Sequence, residues 1–296
     1  MTGRDRAAAG LRLGADPDIR PDRFHRCPTD PDCPHCGRRQ REGEAFDWSF
    51  LDRVFCICLR TREDRMRHAS AQFHRVGLCR HVLFYRPDRH PEKGIIGSWE
   101  AHRSVAMRAL AEGAGRVLIF EDDVLFNRRV TPRTLRAIAA ALDSLPEGWM
   151  LFYLGHWPLR AWFLRPGVLR TSSGCAHAYI ASRRLLEWLR DHPWGTPGID
   201  RHPLVGRALD SAYAMLPGTY ALFPMIATQA VSPSDNFTAA QKRRRKNKWR
   251  LRHLVTHSRH REWLLSHLMR PAELTVLLLA PLLMIAEIFR PRLFRR

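Results

Sequence analysis

The residues best equipped for chemistry are Glu121, Asp122 and Asp123, which stand directly after the apolar run Val117 to Phe120 in "VLIFEDDVLF". Three adjacent carboxylates at the end of a core strand repel one another and lose hydration, so something must offset them. In extended backbone, residues two apart point the same way, so Glu121 and Asp123 are expected to face one pocket while Asp122 points elsewhere. Hard oxygen donors suit a divalent cation such as Mg²⁺ or Mn²⁺, with Asp123, Glu121 and Asp122 as candidate ligands. A cation that also grips a diphosphate stabilises a nucleotide leaving group, an arrangement suited to nucleotide-sugar or phosphoryl transfer. The plainer alternative is that the acids cap the next segment or pair with Arg128 and Arg129.

The elements around this triplet alternate between short apolar runs and helical segments from Arg53 to about Asn236, the signature of an α/β layer fold. "VFCICL" reads as a buried strand, followed by Thr61 as a helix cap with Asp64 completing a capping box. "HVLFY" and "RVLIF" are further strands, separated by the helix "SWEAHRSVAMRALAEG". Thr131 before Pro132 starts another helix, and "WMLFYLG", "AHAYIAS" and "SRRLLEWLRDH" give strand, strand and helix. At the carboxyl ends of such strands, side chains project into the ligand crevice. Arg60, Arg62 and Arg65 follow the first strand, where one or two could fork onto phosphate or uracil, or else form a solvated helix face. Gly94 and Gly97 allow close backbone approach ahead of their helix. His102 either reaches the diphosphate or is a satisfied buried histidine. His156, Trp157 and Arg160 follow the strand end "LFYLG" and are candidates for acceptor recognition, although Trp more often packs in a core.

The chain divides into an extension, residues 1–48, a body, residues 49–238, and a tail, residues 239–296. The extension is rich in Arg, Asp, Pro and Gly and reads as loosely ordered. Within it, Cys33 and Cys36 form a CxxC with Cys27, His25 and His35 nearby; Cys27, Cys33, Cys36 and His35 could hold a structural Zn²⁺. Cys56, Cys58, Cys79 and Cys175 read as reduced core thiols, and the opening "MTGRDRAAAGLRLG" lacks the apolar region of a secretory signal. Both predict a cytosolic setting.

The formal charge of +20 predicts attraction to polyanions. In the tail, the basic stretch 241–270 is interleaved with Trp249, Leu251, Leu254 and Trp263, and is followed by thirteen uncharged residues, Leu274 to Ala286, containing Pro281. As a helix that run spans roughly 20 Å, short of the ~30 Å hydrocarbon core. It is expected to lie on an anionic membrane surface, with a short span or a packed helix as alternatives.

"KGIIGSWEAHRSVAMRALAEGAGRVLIFEDDV" resembles the signature block of glycosyltransferase family 25, which includes bacterial lipopolysaccharide core glycosyltransferases and the related collagen galactosyltransferases. "VFCICLRTREDRMRHASAQFHRVGL", "GCAHAYIASRRLLEWL" and "LDSAYAMLPGTYALFPMIATQAVSPSDN" are similar to its opening, middle and closing segments, in the family's order. The resemblance implies a GT-A-like, Rossmann-type fold and transfer of a hexose, galactose or glucose, from a UDP-sugar with inversion. It also implies that Glu121 to Asp123 are the counterpart of a DxD motif, with Asp123 on the metal and Glu121 or Asp122 near the ribose or the metal's waters. An inverting transfer needs a carboxylate base. Asp210 matches the family's late Asp by its distance to Phe223 and Pro224, and Asp200 is the alternative. The acceptor would be a lipopolysaccharide or another glycolipid at the cytoplasmic face of an inner membrane. Two other readings compete: a nucleic-acid-binding protein using the CxxC knuckle and the tract "KRRRKNKWRLR", and a non-catalytic membrane scaffold. The first leaves the acidic strand end unexplained.

Overall fold

The computed structural model describes residues 20–37, 46–127, 130–199 and 209–230. In chain order the elements are β1 (Phe24–Arg26), α1 (Pro34–Gly37), β2 (Arg53–Ile57), α2 (Glu63–Arg75), β3 (Val82–Tyr85), α3 (Gly94–Ala111), β4 (Arg116–Glu121) and β5 (Val124–Phe126). They continue with α4 (Pro132–Asp143), β6 (Leu151–Arg165), β7 (Val168–Ser182), α5 (Arg183–Asp191), α6 (Leu209–Met215), β8 (Thr219–Leu222) and β9 (Ala227–Gln229). Among the described residues, seven strands form a mixed sheet in the order β1-β3-β2-β4-β7-β6-β8, and β5 pairs with β9 in a second, two-stranded sheet.

The apolar run of β4 is explained by burial on both faces. Leu118 and Phe120 pack with Ala69 and Phe73 of α2, while Val117 and Ile119 pack with Val105 and Ala109 of α3. Phe120 is fully buried, and losing its ring would cost about 3–5 kcal/mol. Strands β3, β2 and β4 are parallel. The chain therefore steps from β2 to β3 on one side, then returns past β2 to β4 on the other. That reversal of strand order makes a crevice between the carboxyl ends of β2 and β4, where Ile57 is level with Glu121.

Antiparallel β7 joins β4, and β6 and β7 form a long hairpin across Pro166 and Gly167. Gly167 has φ +81, a left-handed conformation that glycine adopts without steric cost. Strand β8 pairs with the starts of both β6 and β7. Strand β9 then crosses to β5, setting Gln229 opposite Val124, just past the carboxylates.

Several local expectations change. Helix α2 begins at Glu63 with Arg62 as its N-cap and no side-chain cap bond, because the Arg62 guanidinium takes both oxygens of Asp64 at 2.9 and 2.8 Å. At α4, by contrast, Thr131 is the N-cap: its side chain accepts from the Thr134 N–H, with Pro132 at the first turn. Helix α3 starts at Gly94, four residues before Ser98. The strand expected to end at Gly155 runs on to Arg165, since hairpin pairing with β7 carries it past the apolar run. In the extension expected to be loosely ordered, β1 pairs antiparallel with β3 at the sheet edge. Among the described residues no helix is long and apolar enough to cross a membrane, and the tail lies outside them.

Candidate functional site

Strand alternation places Glu121, the last residue of β4, and the two-residue turn that follows places Asp122 and Asp123, which the sequence pattern expected to continue the strand. Glu121 continues the Val117–Ile119 face toward α3, and its Oε1 lies 3.7 Å from His102 Nε2. Asp122 falls on the α2 face, where Arg65 Nη1 donates to its Oδ1 at 2.7 Å in a largely buried ion pair. Asp123 turns back into the crevice. Gln229 Nε2 reaches Glu121 Oε2 at 3.4 Å and Asp123 Oδ1 at 3.5 Å, long contacts that place one amide between two carboxylates. The Ala230 N–H donates to the Asp123 carbonyl at 2.6 Å, tying the end of β9 to this turn.

Crowding sets the proton affinities. Burial first, then repulsion from Glu121 and Asp122, pushes Asp123 up to about 8. Burial and the Asp122 charge push Glu121 up to about 7. Burial also raises Asp122, but the Arg65 guanidinium opposes the shift. The Glu121 side chain keeps 28% exposure, so the cluster opens to solvent. A proton or a cation must offset this pair at neutral pH.

Asp210, from a separate element, completes the crevice. In the first turn of α6, it accepts from the backbone N–H groups of Cys175 and Ala176, and Cys175 takes φ +77 to present them. Burial and the Glu121 charge push Asp210 up to about 6. His102 lies within the field of both Asp210 and Glu121, yet burial lowers it to about 4, so it is a neutral imidazole. Its Nδ1 is 2.8 Å from the Tyr179 hydroxyl, which is 2.8 Å from that of Tyr213. The chain of rings fixes His102 so that Nε2 faces the acids. Nε2 is buried and lacks a hydrogen-bond partner among the described residues.

The remaining expected residues are dispersed. Arg65 is bound to Asp122, Arg62 to Asp64 and Arg60 to Asp88 at 2.9 Å, so each arginine at this strand end already meets an acid. Gly94 and Gly97 lie in the first turn of α3. A Cβ at Gly97 would sit 2.9 Å from the Cβ of His90, so this glycine serves helix-to-loop packing rather than ligand approach. His156 is 1% exposed, bonds Ser173 Oγ at 2.9 Å and stacks on Tyr153, which makes it part of the hairpin core instead of an acceptor contact. Trp157 and Arg160 lie within β6 rather than after it, and Arg160 offers its carbonyl to Thr171 Oγ1. Asp200 is outside the described residues. A groove of about 550 Å³ between α4 and the Gly167 turn is lined by residues such as Ala137, Leu222 and Pro224, and none of the carboxylates lines it.

The expected zinc set also changes. Cys33 and Cys36 lie beside His74 and Cys79, and their four donor atoms are all within 4.8 Å of one another. Cys27 instead sits in the apolar core with its N–H on the Val82 carbonyl, and His35 turns its ring edge-on to Phe46. Cys79, expected as a core thiol, is thus a member of the cluster. Sequence reading also missed Gln229, Tyr179, Tyr213 and the Arg65–Asp122 pair. Tyr179, Tyr213 and Gln229 lie in the segments that carry the family resemblance, which gave them no role.

No family model matches the chain, and no curated protein does. Among solved structures, A197 from STIV is similar with a TM-score of 0.38 and 12% identity, over 60% of this chain and 85% of that one. A glycosyltransferase involved in the glycosylation of the major capsid of PBCV-1 is similar with a TM-score of 0.31 and 12% identity, over 49% and 69%. Likeness at this level assigns no activity, and the family 25 resemblance rests on the motifs alone.

Proposed function

We propose that the protein is a metal-dependent glycosyltransferase that moves a hexose, galactose or glucose, from a UDP-sugar to a saccharide acceptor on lipopolysaccharide or another glycolipid, with inversion. One observation carries the reading: Glu121 and Asp123 converge on Gln229 in the crevice where the parallel strand order reverses, with Asp210 as a third, separate acid. The donor set fits a hard divalent cation. Two carboxylates that resist ionisation together, open to solvent, match a Mg²⁺ or Mn²⁺ site that keeps positions for substrate phosphates. Glu121 and Asp123 would hold it, and when bound it supplies positive charge to a departing diphosphate.

Asp210 is the base that takes the acceptor hydroxyl proton. Near 6, it is mostly ionised at neutral pH yet still basic enough to accept a proton, and two backbone N–H groups fix its direction. Neutral His102 contributes a polar nitrogen without adding charge. The Arg65–Asp122 pair anchors the turn that carries Asp123.

A screen of nucleotide sugars for nucleotide release, with and without Mn²⁺, tests the reading. Mn²⁺-dependent release that Asp123→Asn abolishes is the expected outcome. No release from any common donor, together with an Asp123→Asn protein indistinguishable from wild type, would sink it. Attachment to the cytoplasmic face of an inner membrane belongs to the same proposal and rests on the basic and apolar tail, 241–296. Deleting that tail is expected to release the protein from liposomes containing anionic lipid, and unchanged flotation would refute the attachment.

A further inference from the structure

Three cysteines and a histidine from three separate stretches of chain meet on the face of the sheet covered by α2. Cys33 and Cys36 flank the start of the single-turn α1, His74 lies in the last turn of α2, and Cys79 follows in the turn before β3. Cys33 Sγ is 3.9 Å and Cys36 Sγ 3.5 Å from Cys79 Sγ, and Cys36 Sγ is 3.3 Å from His74 Nδ1. Zinc–sulfur bonds of about 2.3 Å and zinc–nitrogen bonds of about 2.0–2.1 Å at tetrahedral angles require edges of about 3.8 Å between sulfurs and about 3.6 Å from sulfur to nitrogen. The observed edges scatter around those values. They are much longer than the ~2.05 Å of a disulfide, and all three cysteines are free thiols.

The surroundings are those of a closed ligand set. The His35 N–H donates to Cys33 Sγ at 3.4 Å, the kind of bond that steadies a thiolate, and Arg80 Nη2 holds the Cys36 carbonyl at 3.0 Å. Trp48 Nε1 donates to the Val76 carbonyl at 2.9 Å just after α2, and Phe46 packs so tightly on Gly77 that a Cβ there would lie 2.9 Å from its own. Both contacts fix the turn that carries His74 and Cys79.

We propose that Cys33, Cys36, His74 and Cys79 bind one Zn²⁺ in a tetrahedral structural site that clamps the N-terminal segment onto the end of α2. Binding replaces the thiol protons, which leave to solvent as the three sulfurs become thiolates. The clamp would add to what already holds β1, its three-residue edge pairing with β3, the Arg23–Asp88 ion pair and the packing of Phe24 on Phe55 and Tyr85. Soft sulfur ligands separate this site from the oxygen ligands of the crevice, so it stands independently of the proposed transferase activity.

Elemental analysis of the full chain, purified in reductant without chelator, tests it. One zinc per chain is expected, retained in Asp123→Asn, Cys27→Ala and His35→Ala and lost in Cys79→Ser and Cys33→Ser. Should those two variants fail to fold, cobalt substitution of the wild-type chain keeps the test open: sulfur-to-cobalt charge transfer and intense tetrahedral d–d bands are expected. Absence of zinc from wild type, octahedral cobalt spectra, or zinc that survives in Cys79→Ser would overturn the proposal. So would a metal-free chain in which Cys33 and Cys36 cycle as a disulfide.

Discussion

Helix α2 links two clusters of opposite chemistry. Arg65 near its start meets the carboxylates, and His74 near its end meets the thiols, about 14 Å further along the axis. The thiol cluster is closed, with four donors mutually within reach, Cys33 and Cys79 buried and Cys36 and His74 half-buried. The carboxylate cluster is open: Glu121 and Asp123 are bridged by one amide, and Glu121 keeps contact with solvent. Structural metal sites fill their coordination with protein, whereas catalytic ones keep positions for substrate. The same helix thus serves a site read as structural and one read as catalytic, and the difference lies in how many donors the chain commits.

The largest expected effect is on turnover. Asp123→Asn and Asp210→Asn should each lower nucleotide-sugar turnover by on the order of 10³-fold in steady-state assays, while leaving zinc content unchanged. Equal loss of zinc in Asp123→Asn would merge the two clusters and break the contrast. Next, stripping metal from the thiol site should lower the unfolding midpoint by on the order of 10 °C in calorimetry, an effect Mn²⁺ should not restore. Arg65→Met should cost about 3 kcal/mol in denaturant unfolding, since it strands the buried Asp122, and the added Asp122→Leu change should recover part of that.

The smallest effect is a pH dependence that belongs to the open cluster alone. Asp123 near 8 and Glu121 near 7 hold protons in the folded chain that the unfolded chain releases near its ordinary carboxylate range. The folded state therefore binds more protons, and stability falls as pH rises through that window. His102, lowered to about 4, acts in the opposite sense only below the usual histidine range of about 6.5. Between pH ~6.5 and ~8 the metal-free chain should thus lose roughly 2 kcal/mol, read from urea midpoints. Mn²⁺ should reverse the loss at pH 8, and a flat profile would mean that the two acids do not share a field.

Much of the scaffold was legible because periodicity and caps are local. Thr131 with Pro132 announced α4, and the doubly buried run of β4 announced a central parallel strand with acids at its carboxyl end. The sequence pattern ends a strand at Gly155 because β6 beyond it carries Trp, Pro and Arg, and only hairpin pairing with β7 keeps it extended. His156 looked like a surface residue after a strand, but that same pairing buries it.

The sequence by itself determined that Glu121 shares the face of Val117 and Ile119, since a strand offers no other geometry, and that two more acids follow it; the turn at Asp122 and Asp123 set where those two point. It also determined that Cys33 and Cys36 would stand as neighbours. Only the tertiary structure chose their partners. Gln229 arrives more than a hundred residues later because β9 pairs with β5, and His74 and Cys79 arrive because α2 packs on the sheet with its end over α1. Such contacts depend on which elements pack together, and no local pattern of side chains records that choice.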